Sequence, residues 1–434
     1  MLRIITQRAE AEAELRRIGE RTQDEQVFHK EATVREVLQA VKRQGDRALL
    51  HYTEEFDQYA LSREELRVSG SELDAAYQQV PKELLDAIRE VAEKIEAFHR
   101  QRIPKSWVKF EENEIVIGKR YTPVERAGLY IAGGRVAYPT AVLMNAIPAK
   151  VAGVPRIIIV TPPGKEKTIH PAVLVAAQEA GVQEIYRVGG AQAIAALAYG
   201  TETIPKVDVI AGHGNIYVTL AKKQVYGTVA LDGLGWPSEL LIIADKSANP
   251  LHVAADMIAQ AEKDPMAAAI LLTPDSVLAR KTVLEVERHL ETHPRRTPTE
   301  KAIAHYGLVV VVDSLAGAAE LCNQFGPQNL ELQVAEPWEL LKQIHHAGTI
   351  FLGGATPQAV GDSLTGINYS LPANGAARYS SPVSVETFMK HSNLIEYSPL
   401  ALQKAAHALQ VLANTEGFPG RIDSVQLRTQ TRQM

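Results

Sequence analysis

Three glycine turns are the first residues whose type and spacing suggest chemistry: Gly133-Gly134, Gly189-Gly190 and Gly212-His213-Gly214. Each falls between an apolar run and a helical stretch, where backbone N–H groups left unpaired at a helix start can cradle a phosphate. Glycine also suits any tight turn from strand to helix. No GxGxxG fingerprint follows a strand and no GxxxxGK[ST] loop is present. None of the 13 histidines belongs to an HExxH motif or stands at metal-ligand spacing with a carboxylate. His345-His346 reads as a helix end, where imidazoles suit the dipole. His213, inside a glycine turn, is the histidine placed where a ligand would pass. The single cysteine, Cys322, excludes an internal disulfide and Cys-rich zinc or iron–sulfur centres. By themselves these residues imply an α/β protein with room for a nucleotide-sized ligand.

The elements that must hold them follow from the hydrophobic patterning. Residues 1–110 read as helical, with amphipathic segments at 9–19, 34–44 and 83–102, and residues 107–120 alternate as a strand. From residue 121 apolar runs alternate with helical stretches. Strands are expected at 156–160, 184–188, 207–211, 240–244, 268–272, 308–312, 329–334 and 349–352. Helices are expected at 142–151, 172–180, 192–199, 216–225, 251–262, 276–291, 315–325 and 337–346. Strand–turn–helix repetition with short connections predicts two parallel α/β units side by side. The Gly/Pro/Asn/Ser-rich stretch 353–378 has the composition of a site-bearing loop, expected at the carboxyl ends of the strands. The last 50 or so residues turn helical, over 385–388 and 400–413, and end in a polar tail.

The chain of 434 residues carries 46 Lys and Arg against 51 Asp and Glu, a net charge of −5. That excludes the basic excess of a general nucleic-acid or membrane-surface binder. No apolar run reaches 18 residues and no signal-peptide pattern opens the chain, so the expected compartment is the cytoplasm.

From AVLMNAIPAKVAG at 141–153 onward, the sequence resembles the histidinol dehydrogenase family. The likeness also takes in Gly45-Asp46-Arg47, GGAQAIAALAYG at 189–200, Gly214-Asn215-Ile216-Tyr217-Val218, Pro237-Ser238-Glu239, AQAEKDP at 259–265, Gly361-Asp362, Ala376-Ala377-Arg378-Tyr379 and Glu416-Gly417. The resemblance implies two similar parallel-sheet Rossmann-like domains, one inserted in the other, with helical N- and C-terminal segments intertwining a homodimer. The expected boundaries are an N-terminal helical arm at 1–24, a first α/β domain at 25–129 plus 240–382, an inserted α/β domain at 130–239 and a C-terminal dimerisation segment at 383–434. The family oxidises an amino alcohol to an amino acid in two NAD-dependent steps at a zinc site, and its NAD-contact positions match here as Tyr130, Gln192 and Asn215. Two turn prolines of the family are replaced, by Ala132 and by His213.

The reaction centre departs from the family pattern. Both oxidation steps need a base, and the family's Glu-His pair reads Gln328-Asn329 here. Amides keep the shape but accept no proton near neutral pH. Of the four zinc-ligand positions Gln260 and Asp362 remain, while the two histidines are Lys263 and Arg421. Ammonium and guanidinium groups donate only and repel a metal. A substrate histidine after Asn368 is Tyr369, while Ser238 and Glu416 still match substrate-contact positions. These substitutions predict a homodimer without zinc and with weak NAD binding that does not oxidise histidinol: a ligand-binding, regulatory or assembly paralogue, with a small-molecule or anionic ligand and a protein partner as its expected company. Lys263 and Arg421 are expected to face Asp362 and Glu416 and neutralise them. The alternatives are an NAD-dependent oxidoreductase with altered, zinc-independent chemistry and residual histidinol dehydrogenase activity.

Overall fold

The unbroken apolar runs become parallel strands buried on both faces, as their lack of alternation requires. In the computed structural model, which describes residues 2–22, 25–133, 137–164, 166–363, 365–368 and 371–429, the strands are β1 (Arg3–Ile5), β2 (Trp107–Glu111), β3 (Ile115–Pro123), β4 (Arg126–Tyr130), β5 (Arg156–Thr161), β6 (Glu184–Arg187), β7 (Val209–Ala211), β8 (Ala230–Leu231), β9 (Glu239–Ala244), β10 (Ala268–Thr273), β11 (Gly307–Val311), β12 (Asn329–Gln333), β13 (Thr349–Leu352) and β14 (Met389–Glu396).

Residues 1–102 and 124–388 form one unit. It holds a six-stranded sheet ordered β1-β11-β10-β9-β12-β13 and a five-stranded sheet ordered β6-β5-β4-β7-β8, all pairings parallel. Both sheets reverse strand order, between β9 and β12 in the larger and between β4 and β7 in the smaller. Such switch points open crevices for ligands. One face of the larger sheet buries Leu241, Ile243 and Leu330 against Leu15, Ile18 and Phe325, the other Leu240 and Ile242 against Met257 and Leu278.

The sequence reading places strands and helices of this unit to within a few residues, and the differences have local causes. The first residues hold a strand as well as the expected helix: Arg3–Ile5 adds an edge strand beside β11, and the helix Arg8–Gly19 buries Ala11, Leu15 and Ile18. The helices between residues 25 and 66 cover the smaller sheet, with Val34, Val37 and Leu49 in one core with Ile158 and Ile194; the expected boundaries group them with the larger one. The helix expected at 337–346 ends at Leu341, because Asn323 Oδ1 accepts from the backbone N–H of His345 (2.7 Å) and His346 (3.2 Å) in place of helical partners. The two histidines therefore lie beyond the helix rather than capping it.

Residues 103–123 and 389–434 form the other unit. The expected strand at 107–120 is a hairpin, β2 antiparallel to β3, and β14 pairs along the other side of β3 over eight residues. Two helices follow, Pro399–Glu416 and Pro419–Thr429, so the expected polar tail is helical as far as Thr429.

Candidate functional site

The crevice of the smaller sheet is built by the turns that leave its strands. Tyr130 ends β4, Gly189-Gly190 leads from β6 into the helix Gly190–Tyr199, and Gly212-His213-Gly214 leads from β7 into the helix Ile216–Val225. Of the remaining glycine turn, Gly133 follows β4 and Gly134 lies outside the described residues. Gly212 has φ +104°, and a Cβ there would meet the Tyr130 carbonyl oxygen at 2.0 Å, so only glycine lets the two strand ends approach. A buried ion pair braces this turn. Lys222 Nζ donates to Gly212 O (2.9 Å) and pairs with Asp232, which accepts from Gly212 N (2.7 Å). Asn215 caps the next helix, its Oδ1 accepting from Tyr217 N (3.0 Å) and Val218 N (3.3 Å). The Tyr130 hydroxyl accepts from Gly190 N (3.2 Å), and Gln192 Nε2 donates to Asp57 (3.2 Å). Burial lifts the Asp57 carboxyl to about 6. Tyr130 and Gln192 thus meet Asp57 around the Gly190 turn, while Asn215 is exposed at the cap of the neighbouring helix; Asp57 was missed in the sequence, where its signal was a carboxylate on the last residue of a helix, disfavoured by the dipole.

A second polar centre lies between β9 and β12, at their amino ends rather than the carboxyl ends expected for the site-bearing loop. Gln328 is buried, and its Oε1 accepts from Ser238 Oγ (2.8 Å), Glu239 N (3.1 Å) and Asn329 Nδ2 (3.3 Å). Its Nε2 donates to Gly235 O and Leu371 O, both at 3.3 Å, so the 353–378 stretch does reach this centre. Asn329 Nδ2 also donates to Glu239 O (3.0 Å). Below them Glu239 is wholly buried against Arg21 (3.0 Å) and accepts from Asn374 N and Gln328 N. Desolvation pushes the Glu239 carboxyl up, and Arg21 opposes it.

His213 joins the two centres. Its ring abuts Gly235, where a Cβ would stand 1.9 Å from Nε2, and Gly235 O is the acceptor used by Gln328. Burial pulls the imidazole down to about 4, so it is neutral at physiological pH.

Farther along β12, Glu331 accepts from Gln358 N (2.8 Å) and Gln333 Nε2 (2.7 Å), and Gln333 also donates to Asp256 (2.9 Å). Burial first, then the Asp256 charge, pushes Glu331 up to about 8, and desolvation raises Asp256 as well. The two carboxyls bias each other's protonation, each charge disfavouring ionisation of the other. Glu331 stands two residues past Asn329 in the sequence, but nothing in its spacing pointed to Asp256.

The remaining predicted residues are placed as follows. Gln260 is fully buried at the end of the helix Pro250–Ala261, 3.4 Å from Ser238 Oγ, with its Nε2 unpartnered. Lys263 is exposed just past that helix. Asp362 lies on the short helix Gln358–Ser363. Tyr369 lies outside the described residues. Glu416 and Arg421 belong to the second unit, where Arg421 pairs with Glu416 and stacks on Phe418 at 4.4 Å. A zinc ion does not fit this donor set: two of its four members end in cationic nitrogen donors, and a third is an amide whose unpartnered atom is itself a donor.

Fold and site define an α/β protein with two parallel sheets and a third, antiparallel one, a polar cluster at the switch point of the smaller parallel sheet and an amide-filled polar centre in the larger. The chain belongs to the histidinol dehydrogenase family, whose model matches residues 20–429. It is 70% identical over 430 residues to histidinol dehydrogenase 2 of Trichormus variabilis, covering 99% of both chains. It is 65% identical over 431 residues to histidinol dehydrogenase of a Synechococcus species, again covering 99% of both. Its structure matches the crystal structure of histidinol dehydrogenase from Elizabethkingia anophelis with a TM-score of 0.90 at 34% identity, over 98% of this chain and 97% of that one.

Proposed function

We propose that this chain is a non-catalytic, ligand-binding member of the histidinol dehydrogenase family: a cytoplasmic homodimer that keeps a nucleotide-sized crevice, binds no zinc and does not oxidise histidinol. The observation that carries the reading is the hydrogen bonding of Gln328. Both its N–H groups and its carbonyl oxygen are engaged within the protein, and its neighbour Asn329 is likewise an amide. A base must be free to take a proton in the reacting complex, and neither side chain accepts one near neutral pH. Loss of a general base costs about 10²–10⁴-fold in rate. His213 supports the reading, because its ring abuts Gly235, between the crevice and the polar centre, where the hydride-accepting nicotinamide of a bound NAD would have to reach the substrate. The same intrusion supports weak dinucleotide binding, with Kd above ~100 µM.

The test is NADH formation by the full-length protein with histidinol, NAD and added zinc or manganese. The expected rate is below one thousandth of a typical ~10 s⁻¹ turnover. A rate above that, or one zinc per subunit in the purified protein, would instead make it a working histidinol dehydrogenase, as its relatives are named.

A further inference from the structure

The carboxyl end of β12 holds an acidic pair that neither polar region uses. Asn329, Glu331 and Gln333 alternate onto one face of the strand. Asn329 serves the amide centre at the amino end, while Glu331 and Gln333 lie toward the other end. β12 borders the strand-order reversal with β9, and open parallel sheets hold ligands outside the carboxyl ends at such a point. Three elements meet here. β12 supplies Glu331 and Gln333, the helix Pro250–Ala261 supplies Asp256, and Gln358 at the start of the helix Gln358–Ser363 donates its N–H to Glu331 Oε1 (2.8 Å).

Gln333 points to what the pair could hold. Its head group is aimed into the cluster, with Nε2 2.7 Å from Glu331 Oε2 and 2.9 Å from Asp256 Oδ2. The residue is 3% exposed, and its Oε1 has no partner. A half turn of the amide sets Oε1 in place of Nε2 and costs that oxygen no hydrogen bond. It would then face two carboxylate oxygens, an arrangement that only a cation among the three makes favourable. The spacings suit one: oxygens at the corners of a Mg²⁺ octahedron, each about 2.1 Å from the ion, stand about 3 Å apart. The donors are oxygens only, and among the described residues no group of three or more His, Cys, Asp and Glu could hold a metal. Oxygen sets completed by water are those of hard cations, not of soft ones. Asp256 is half-buried, so an ion and its waters reach the pair from solvent.

We propose that Glu331, Asp256 and Gln333 Oε1 form a binding site for a hard divalent cation of the Mg²⁺ or Ca²⁺ class, with water completing the shell on the Asp256 side. Gln260 stands one turn beyond Asp256 on the same helix, and Asp362 one turn beyond Gln358 on the other. The site uses neither residue, and it stands whether or not the chain is catalytic. Binding requires both carboxylates ionised, so cation and proton compete for Glu331. Among the described residues the other group whose charge acts on the pair is His252, one turn before Asp256, and protonated it favours Asp256 ionisation. Gln333 and Gln358 are neutral.

Calorimetric titration of the chelator-treated full-length protein with magnesium chloride, and separately with calcium chloride, tests this, with melting followed at constant ionic strength. At pH 8 the parent should bind about one ion per chain with Kd near ~1 mM, and melt ~2 °C higher in ~10 mM of the cation. At pH 6 the affinity should fall about tenfold or more, since the Glu331 carboxyl stands at about 8. Glu331→Gln and Asp256→Asn should each weaken binding about tenfold or more, whereas Asp362→Asn should bind as the parent does. The parent alone gives a further reading: heats measured in buffers of different ionisation enthalpy should show proton release on binding near pH 7. No binding of either cation at pH 8 up to ~20 mM overturns the site. So does binding that releases no proton, that survives both substitutions in the pair, or that is lost in a folded Asp362→Asn variant.

Discussion

Gln328 is surrounded in a way that only an amide satisfies. Its Nε2 points at two carbonyl oxygens, Gly235 O and Leu371 O, each 3.3 Å away. A glutamate in the same pose would set a carboxylate oxygen against both acceptors and lose two donated hydrogen bonds. The loop position is thus matched to glutamine, and returning the family's acid is not a neutral repair. Gln328→Glu should destabilise the protein by ~1–3 kcal/mol at pH 7, the cost of unsatisfied buried acceptors. Protonation restores a donor, so the loss should shrink as pH falls toward 5. Urea unfolding at the two pH values measures it, and an equally stable variant at pH 7 would show that the loop adapts.

The Glu331–Asp256 pair makes a second residue-scale statement about pH. The Glu331 carboxyl stands at about 8 in the fold, raised from 4.5 by burial and by Asp256. A raised acid contributes its stability below the unfolded pKa and loses it as pH climbs through the folded one. Stability should therefore decline between about pH 5 and 8. Glu331→Gln keeps a donor toward Asp256 without a titratable proton, so it should flatten this decline. At pH 8 it should melt ~1–2 °C above the parent, corresponding to about 1 kcal/mol for a unit of this size. Scanning calorimetry across that range decides, and a variant with the parent's slope would assign the pH dependence to other groups.

At the scale of elements, the turn after β7 shows why the sequence pattern located the crevice but not its mechanics. Gly212-His213-Gly214 and Asn215 were legible because glycine and an N-capping asparagine are local signals. The brace was not, since Lys222 and Asp232 come from a helix and a later strand end and meet only in the folded chain. In the sequence both read as ordinary surface charges, yet their side chains are 2% and 0% exposed. Similarly, strands of the two parallel sheets announced themselves as apolar runs, whereas β14 (MKHSNLIE), largely exposed, carried no such run. The polar centre was legible as a set of residue types, Gln328, Asn329 and Ser238, but its closure by Leu371 depends on a loop 43 residues away. Because Lys222 holds both backbone groups of the turn in place, directly and through Asp232, Lys222→Met should cost ~3–5 kcal/mol by leaving a buried carboxylate unpaired. Replacing Lys222 and Asp232 together should cost less than the single change. A loss under ~1 kcal/mol in the single variant, by chemical denaturation, would show that the pair does not brace the turn.

At the scale of the whole molecule, the unit of residues 103–123 and 389–434 groups exposed apolar residues on its sheet. Cross-strand register puts Val108, Val116 and Leu394 on one side of its sheet together with Phe110, which is 76% exposed. Ile395 is 73% exposed on the other side, and Leu427 on the last helix 74%. Exposed apolar residues grouped in this way mark an interaction surface, and the proposed homodimer supplies one by pairing identical surfaces. The described part of the first 24 residues packs within its own chain, and the C-terminal segment is the other element of the proposed intertwining. That segment also completes the sheet, because β14 pairs with β3 along eight residues and its removal leaves a long unpaired edge. Truncation after Val383 should therefore give protein that aggregates or melts well below the parent, with the full chain sedimenting as a dimer. Phe110→Lys in the full chain should leave β14 paired but shift sedimentation toward monomer, since a charge then replaces an apolar side chain at the paired surface. A truncated protein that stays monomeric and folded, with Phe110→Lys still dimeric, would remove both the sheet and the interface from this unit's role.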